Sequence, residues 1–365
     1  MGEVGRNWAK LGEMGRSCIR RTELRNKITT MTNTSLSSPV TPPVAPTAAS
    51  AFGARTTALE AVRAISLKGR NAIVTGGASG LGLETSRALA SAGALVTLAV
   101  RNLDQGHAAA DALCKEFPGA GVSVAKLDLG DLATVRRLAA DWLAGGKPLD
   151  ILINNAAIMA CPLTRTAQGW EAQFATNHLG HFALTTALLP ALKQAAKIKG
   201  DARVVALSSS GHKITGVDFD DIHFERREYN KWKAYGQAKS ANALFALGLH
   251  LRHQADGITA NAVHPGGIMT GLQKFLPIEE MRALGWLKAD DTPLDIFKSP
   301  AQGASTSVWA ATAPELKGKG GLYLEDCHQG IPAEPSNRVS GFSPHIMDAA
   351  AAHRLWDVSL ALLAA

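Results

Sequence analysis

The sequence predicts an α/β fold, a single doubly wound domain whose seven-stranded parallel sheet is covered by helices on both faces. From Asn71 onward, short runs rich in β-branched residues alternate with longer segments of helical periodicity. The short runs are apolar almost throughout, which is typical of strands buried on both faces of a parallel sheet. Strands that alternate with helices along the chain favour the doubly wound arrangement.

Each strand is predicted from one such run and each helix from the segment that follows it. The predicted strands are NAIVTG (71–76), ALVTLAV (94–100), VSVAKLDL (122–129), DILINNA (150–156), ARVVALSS (202–209), ITANAVHPG (258–266) and GLYLED (321–326). The predicted helices are residues 81–93, 103–117, 132–144, 169–194 and 236–253. Ligands of such sheets bind beyond the carboxyl ends of the strands, so we expect the functional residues there.

The charge of the chain is concentrated in its first thirty residues. They carry seven Lys or Arg against three Glu, which leaves 31 basic and 28 acidic residues, or +3 of the total +7, for the rest. No basic stripe interleaved with aromatic residues follows, so the sequence does not favour nucleic-acid binding.

Residues 1–62 differ in composition from the predicted domain, which we place at 63–345. The Pro/Ser/Thr/Ala run at 35–50 cannot bury enough apolar surface to fold, which predicts a disordered extension. Its basic start could be a targeting peptide, or Met31 could be the true first residue. The segment 346–365 is predicted to form an amphipathic helix that packs on the domain.

The cysteines Cys18, Cys114, Cys161 and Cys327 lie far apart and form no Cys-x-x-Cys motif. This spacing suggests neither a disulfide framework nor a zinc site, and reduced thiols favour a cytoplasmic protein. No run of eighteen apolar residues occurs, so the sequence predicts no transmembrane segment.

The first strand runs into the glycine-rich stretch TGGASGLG (75–82) and then into a helix. Glycines allow a tight turn and a close approach of the backbone to a pyrophosphate, which lies at the positive end of the helix. We therefore predict dinucleotide binding at this turn. The residues assigned to it are Gly76, Ser79, Gly80, Leu81 and Gly82.

Arg101 follows the second strand, where an acidic residue would bond the adenosine ribose and favour NAD. An arginine accommodates a 2′-phosphate instead, so we predict NADP(H) in preference to NAD(H). Asp104 is expected to cap the next helix.

Two tyrosines each precede a lysine by four residues: Tyr229 with Lys233, and Tyr235 with Lys239. At this helical spacing a lysine can act on the phenol and lower its pKa, as acid–base chemistry by tyrosine requires. Small residues follow Tyr235 and leave room for a cofactor, whereas Tyr229 lies in a charged, bulky stretch and is assigned to a loop or helix lead-in.

Six motifs together resemble the short-chain dehydrogenase/reductase family, whose members have a Rossmann fold. They are TGGASGLG, NNAA (154–157), ATNHLGHF (175–182), ALSSSG (206–211), YGQAK (235–239) and VHPGG (263–267). LAVRN, TNHLGHF, LSSSGH and VHPGG more narrowly resemble the retinol-dehydrogenase-like and WW-domain-oxidoreductase-like branch.

The resemblance implies roles for particular residues. It implies that Tyr235 is the general acid/base, that Lys239 also bonds the nicotinamide ribose, and that Ser209, with Ser210 as the next candidate, holds the substrate oxygen. It places Asn177 in a proton relay through a bound water and Lys239. The implied cofactor contacts are Asp128 on the adenine side, Asn155, Ala156, Pro265, Gly266 and Thr270.

The family also has a substrate lid, here at about 267–300, and is usually dimeric or tetrameric. The lid is apolar, which suggests a lipophilic alcohol or carbonyl substrate, although the same residues could simply pack on the domain. His178 and His181 are interpreted as structural, with no metal. An oxidoreductase is the favoured function; a nucleotide-sensing or scaffold protein, or more remotely a light-driven reductase, is the alternative.

Overall fold

The structure is a computed structural model that describes residues 50–334, 337 and 339–364. The predicted disordered or targeting-like extension lies outside the described residues as far as position 49. Within the described part, one eight-stranded sheet carries helices on both faces. This confirms the predicted doubly wound α/β class.

The sheet has the strand order β3-β2-β1-β4-β5-β6-β7-β8. Its strands are β1 Asn71–Thr75, β2 Leu95–Val100, β3 Val122–Lys126, β4 Ile151–Asn154, β5 Ala202–Leu207, β6 Ile258–His264, β7 Tyr323–Glu325 and β8 His328–Gln329. Neighbours from β3 to β7 are parallel. The order reverses between β1 and β4, which opens a crevice at their carboxyl ends.

Strand β8 was not predicted and is antiparallel to β7. It is two residues long and follows a tight turn at Asp326 and Cys327, both of which have positive φ. So short a strand leaves no periodicity in the sequence, and this turn lacks the glycine that usually marks such a hairpin.

The helices are α1 Ala58–Val62, α2 Gly80–Ser91, α3 Leu103–Glu116, α4 Leu132–Ala144, α5 Ala172–Phe174, α6 Gly180–Ala187, α7 Leu189–Lys199, α8 Lys231–His253, α9 Ile278–Ala283, α10 Pro300–Gly303, α11 Ser305–Thr312 and α12 Ala349–Ala364. The single helix predicted over 169–194 is therefore wrong in detail. A π-helical turn at Ala175–Leu179 separates α5 from α6. Leu188 leaves helical geometry where Pro190 starts a new helix.

Alternate residues of each strand enter two different cores. On β1, Ile73 packs with residues of α4, α6, α7 and α8, whereas Ala72 and Val74 pack with those of α2, α3 and α11. Burial on both faces explains why these strands read as continuous apolar runs.

Both ends of the described chain lie on the domain. In α1, Ala58 and Val62 pack with Ala88 and Val308, so the ordered domain begins before residue 63. Near the other end, Trp356 of α12 packs on Phe182. None of the helices in the described residues is long and apolar enough to cross a membrane.

Candidate active site

A cavity of about 1090 Å³ lies at the carboxyl ends of the parallel strands. It brings together nearly all the residues that the sequence singled out. Those that line it are Gly76, Ser79, Gly80, Leu81, Arg101, Asp128, Asn155, Ala156, Ser209, Tyr235, Lys239, Pro265, Gly266 and Thr270. Gly82 and Asn177 do not line it, but each contacts a residue that does: Gly82 lies against the Gly76 carbonyl, and Asn177 bonds Ile158.

The glycine turn leads from β1 into α2, and the backbone at its start lies very close to the first turn of the helix. Gly76 has a φ of +66°, a left-handed conformation that glycine adopts without strain. A Cβ on Gly82 would lie 2.2 Å from the Gly76 carbonyl oxygen, so only glycine fits there. The N-terminus of α2 consequently opens onto the cavity.

Arg101 is exposed at the carboxyl end of β2 and lines the cavity. Lys126 of the neighbouring strand donates a hydrogen bond to the Arg101 carbonyl at 2.7 Å. The expectation that Asp104 caps α3 is wrong: Asn102 is the N-cap and accepts from Gln105 N.

Asp128 also borders the cavity, and it does not cap α4. That cap is Asp131, whose carboxylate accepts from Ala133 N. One Asp128 carboxylate oxygen accepts from Gly130 N at 3.0 Å, which fixes the side chain beside the cavity.

Thr75 ties the ends of β1 and β4 together. Its hydroxyl accepts from the backbone N–H groups of Asn155 and Ala156, at 2.9 and 3.0 Å. The Asn155 side chain donates to the Thr75 carbonyl at 2.8 Å. His181 Nε2 lies 2.8 Å from the same hydroxyl. This buried network holds the two loops that face the cavity.

Asn177 lies in the π-helical turn and is fully buried. Its side-chain oxygen accepts from Ile158 N and its amide donates to Ile158 O, both at 2.9 Å. The side chain is therefore committed to the backbone beyond β4. The Asn177 carbonyl accepts from His181 Nδ1 at 2.9 Å.

His178 and His181 both lie in the interior, where burial lowers the pKa of His178 to about 3 and of His181 to about 4. His178 Nε2 bonds Ser359 of α12 at 2.8 Å. Within the described residues, no group of three or more His, Cys, Asp or Glu side chains could hold a metal ion.

The three serines after β5 have different surroundings. Ser208 is buried and donates to the Lys239 carbonyl at 2.8 Å, so its hydroxyl is engaged. Ser209 and Ser210 are half-buried and line the cavity. Ser209 is the residue whose side chain acts on Tyr235, because it lowers the phenol pKa.

Tyr235 lies on α8 with its ring against Gly211 and only 5% of its surface exposed. Burial raises the pKa of Tyr235 to about 12, and the Ser209 side chain opposes this rise. Burial also lowers the pKa of Lys239 to about 7. Lys239 Nζ lies 5.6 Å from the centre of the Tyr235 ring and donates to the Leu207 carbonyl at 2.9 Å. In this chain burial sets the phenol pKa and the Ser209 side chain opposes it, so the lowering of that pKa by Lys239 stays a prediction.

Tyr229 precedes α8 and lies apart from the cavity. Its hydroxyl bonds the Cys161 carbonyl at 3.0 Å and Glu171 Oε1 at 3.2 Å, and it accepts from Gln173 Nε2 at 2.9 Å. These bonds join the loop after β4 to the start of α8.

Part of the segment predicted as a lid, residues 267–300, lines the cavity. Ile268 and Lys298 pair at its two ends as an isolated β-bridge. Leu272, Leu276 and Trp286 of this segment belong to one apolar cluster with Met159 and Tyr235. These apolar residues therefore pack the segment on the domain, and Leu272 and Trp286 also line the cavity.

The cavity fits a dinucleotide in its shape and its polar groups. The close backbone approach at Gly82 and the open N-terminus of α2 suit a pyrophosphate, because helix N-termini attract anions. Arg101 adds a cation at the carboxyl end of β2, and Tyr235 and part of the predicted lid line the same cavity.

Comparison with known proteins agrees with this fit. A sequence model described as short chain dehydrogenase matches residues 70–280. A protein of Streptomyces lividans named "Probable oxidoreductase" is 47% identical over 306 residues, which cover 82% of this chain and 99% of that protein. Retinol dehydrogenase 12 of Mus musculus is 38% identical over 300 residues, or 82% of this chain and 88% of that protein.

A crystal structure of an uncharacterized protein from Mycobacterium paratuberculosis superimposes with a TM-score of 0.62 and 35% identity, covering 84% of this chain and 97% of that one. The chain therefore belongs to the short-chain dehydrogenase/reductase family and is an NAD(P)-dependent oxidoreductase acting on small molecules. Within the family it is similar to the retinol-dehydrogenase-like branch, as the motifs predicted.

Sequence reasoning missed the connecting residues of the site. Thr75 was noted only as the start of the glycine stretch, and His212 only as a letter of the LSSSGH motif. Thr75 bonds Asn155, 80 residues away along the chain, and His212 bonds Ser343, 131 residues away, so no local pattern identifies these contacts.

Proposed function

We propose that this protein interconverts a lipophilic alcohol and the corresponding ketone or aldehyde, with NADP(H) in preference to NAD(H). The observation that carries the proposal is that Ser209, Tyr235 and Lys239 line the same cavity as the glycine turn and Arg101.

The nicotinamide, when bound, supplies or accepts the hydride. The protein must then move one proton at the substrate oxygen. With a pKa raised to about 12, Tyr235 is protonated at neutral pH and can donate that proton as a carbonyl is reduced. The Ser209 hydroxyl holds the oxygen within reach of the phenol.

Lys239 is the group that returns a proton after each turnover. Its pKa of about 7 allows it to gain or lose a proton near neutrality, and its ammonium favours the phenolate left on Tyr235. Asn177 takes part through its backbone carbonyl, since its side chain bonds Ile158. A water on the second lone pair of that carbonyl completes the relay to Lys239.

The cofactor assignment follows the lining of the cavity. The glycine turn would hold the pyrophosphate, Asp128 the adenine side, Asn155 and Ala156 the central part, and Pro265, Gly266 and Thr270 the carboxamide. Arg101 would bind the 2′-phosphate of NADP(H), and no carboxylate replaces it at the end of β2.

The substrate preference is supported by the lid. Leu272, Leu284, Trp286 and Ile296 of this segment line the cavity, as does Met159 from the loop after β4. Burial of a substrate's apolar surface there contributes about 25 cal/mol per Å².

The first test is a screen of the purified protein with NADPH and NADH against apolar ketones and aldehydes, and with NADP and NAD against the matching alcohols. We expect turnover with NADPH that disappears in Tyr235→Phe. NADPH binding without turnover on any substrate would instead favour a nucleotide-sensing or scaffold role.

Cofactor choice is tested separately at Arg101. We expect Arg101→Ala to raise KM for NADPH about 10-fold or more with little change for NADH, because a charged hydrogen bond to phosphate is lost. Arg136→Ala, on the exposed face of α4, is the matched control. An equal change for both cofactors would contradict the NADP assignment. The homodimer or homotetramer and the cytoplasmic location stay predictions.

A further inference from the structure

His212 lies three residues after Ser209 and has no part in the reaction described above. Its side chain has no exposed surface, and its ring packs against Tyr323 with centroids 5.1 Å apart. A buried imidazole is stable only when its nitrogens are hydrogen-bonded, so its partners define what it does.

Two of the three groups within hydrogen-bond distance of the His212 ring fix its protonation; the third, the Tyr323 hydroxyl, lies 3.5 Å from Nδ1. Nε2 lies 3.1 Å from the backbone N–H of Ser343, which can only donate, so Nε2 carries no proton. Nδ1 therefore bears the proton of the neutral ring and donates to the Ser209 carbonyl at 2.6 Å. Burial lowers the pKa of His212 to about 4, which keeps the ring neutral at physiological pH.

The Ser209 loop is held between this ring and α8. Ser209 is the N-cap of the 3-10 turn at Ser210–Ile214, and its hydroxyl accepts from Gly211 N at 3.1 Å. Gly211 in turn contacts the Tyr235 ring, and the Ser240 hydroxyl of α8 lies 2.7 Å from the Thr215 carbonyl and 3.2 Å from the His212 carbonyl. A shift of the Ser209 peptide plane would therefore move its hydroxyl relative to Tyr235.

We propose that His212 is a positioning residue that holds the Ser209 carbonyl, and through it the Ser209 hydroxyl, in register with Tyr235, using Ser343 N–H as its fixed anchor. This rests on the proposed function, in which Ser209 and Tyr235 act on one substrate oxygen.

The titratable groups around the ring are few. Tyr323 contacts it from β7, and the ring centroid of His345 lies 6.1 Å from that of His212. The charge of Lys213 lowers the His212 pKa, and the His212 ring in turn lowers the pKa of His264. His345 bonds Ser240 rather than the Ser209 backbone, at 3.0 Å. This makes His345→Phe a control for disturbance of the same segment.

The test compares His212→Phe, which keeps a ring without hydrogen bonds, with His212→Asn, whose amide can still donate from the Nδ1 position. With a carbonyl substrate from the screen, we expect His212→Phe to lower kcat about 10-fold or more while the Kd for NADPH stays within about 2-fold, as loss of transition-state positioning predicts. His212→Asn should recover most of the loss, and His345→Phe should resemble the unmodified protein.

The pH profile separates positioning from loss of stability. Since Ser209 lowers the Tyr235 pKa, its displacement should move the rise of alcohol oxidation with pH to higher pH in His212→Phe. An unchanged kcat and pH profile in His212→Phe, alongside a Ser209→Ala enzyme that has lost activity, would overturn the proposal and leave the function intact. A fully active Ser209→Ala would overturn the proposed function itself.

A second variant covers the case in which His212→Phe does not fold. His212→Gln places an amide oxygen near the Nε2 position, where it can accept from Ser343 N–H, but it has no donor at the Nδ1 position that bonds the Ser209 carbonyl. We expect His212→Gln to lower kcat and to shift the profile in the same direction as His212→Phe, by a smaller factor. A His212→Gln enzyme with the kinetics of the unmodified protein would also overturn the positioning role.

Discussion

Tyr229 and Tyr235 lie six residues apart, each four residues before a lysine, yet the fold gives them opposite surroundings. The Tyr229 hydroxyl has three protein partners, Cys161, Glu171 and Gln173, and joins two loops. The Tyr235 phenol lines a cavity together with Ser209 and Lys239. The first tyrosine is saturated with protein contacts, and the second faces space that a substrate can enter. This difference, which motif spacing does not contain, separates a structural tyrosine from a reactive one.

The largest effect that tests this contrast is on turnover. We expect Tyr235→Phe to lower kcat by about 10²–10⁴-fold, the usual value of general acid–base catalysis, with NADPH affinity retained. Tyr229→Phe should keep kcat within about 10-fold. Steady-state kinetics on both variants measures this, and a similar loss in the two would break the comparison.

Lys239 offers the next largest effect, in stability rather than rate. A lysine in the unfolded chain has a pKa near 10.5, and burial lowers that of Lys239 to about 7. Between these values the unfolded state binds a proton that the folded state lacks, so stability rises with pH.

We therefore compare the free energy of unfolding of the cofactor-free protein with that of Lys239→Met. The difference between the two should increase by up to about 1.4 kcal/mol per pH unit above pH 7. Urea denaturation at pH 7, 8 and 9 measures the slope. Lys233→Met, at the same position relative to Tyr229 but on an exposed side chain, controls for the loss of one charge. A flat difference would mean that Lys239 keeps its proton in the fold.

The smallest effect is at Tyr229. Tyr229→Phe leaves the Cys161 carbonyl without this donor in a partly buried site, which costs about 1–3 kcal/mol of stability. Thermal or denaturant unfolding would detect it, and no change in Tyr229→Phe would show that the three hydrogen bonds are replaced by water.

Much of this arrangement was predictable because it is local. The apolar strand runs, the strand–glycine–helix turn and the serines after β5 each depend on neighbours in the chain. The cavity-lining positions followed from the rule that parallel strands end at one edge.

The rest depends on contacts between distant segments. One extra residue in a helical turn at Ala175–Leu179 hardly changes the apolar periodicity, so the π turn and the bond between the Asn177 carbonyl and His181 were not predicted. The raised Tyr235 pKa reflects burial by the lid and the loop after β4, which spacing on α8 alone cannot reveal. His212 meets Ser343 across 131 residues.

Strand β8 has a consequence for how the molecule behaves among its copies. Because it is two residues long, the sheet ends there with few unpaired backbone groups. The opposite edge, β3, carries Lys126, a charge of the kind that discourages pairing. Among the described residues, the β8 edge is therefore a poor template for an added strand, and the Lys126 charge disfavours pairing at the end of β3, so we expect little edge-to-edge aggregation at high concentration.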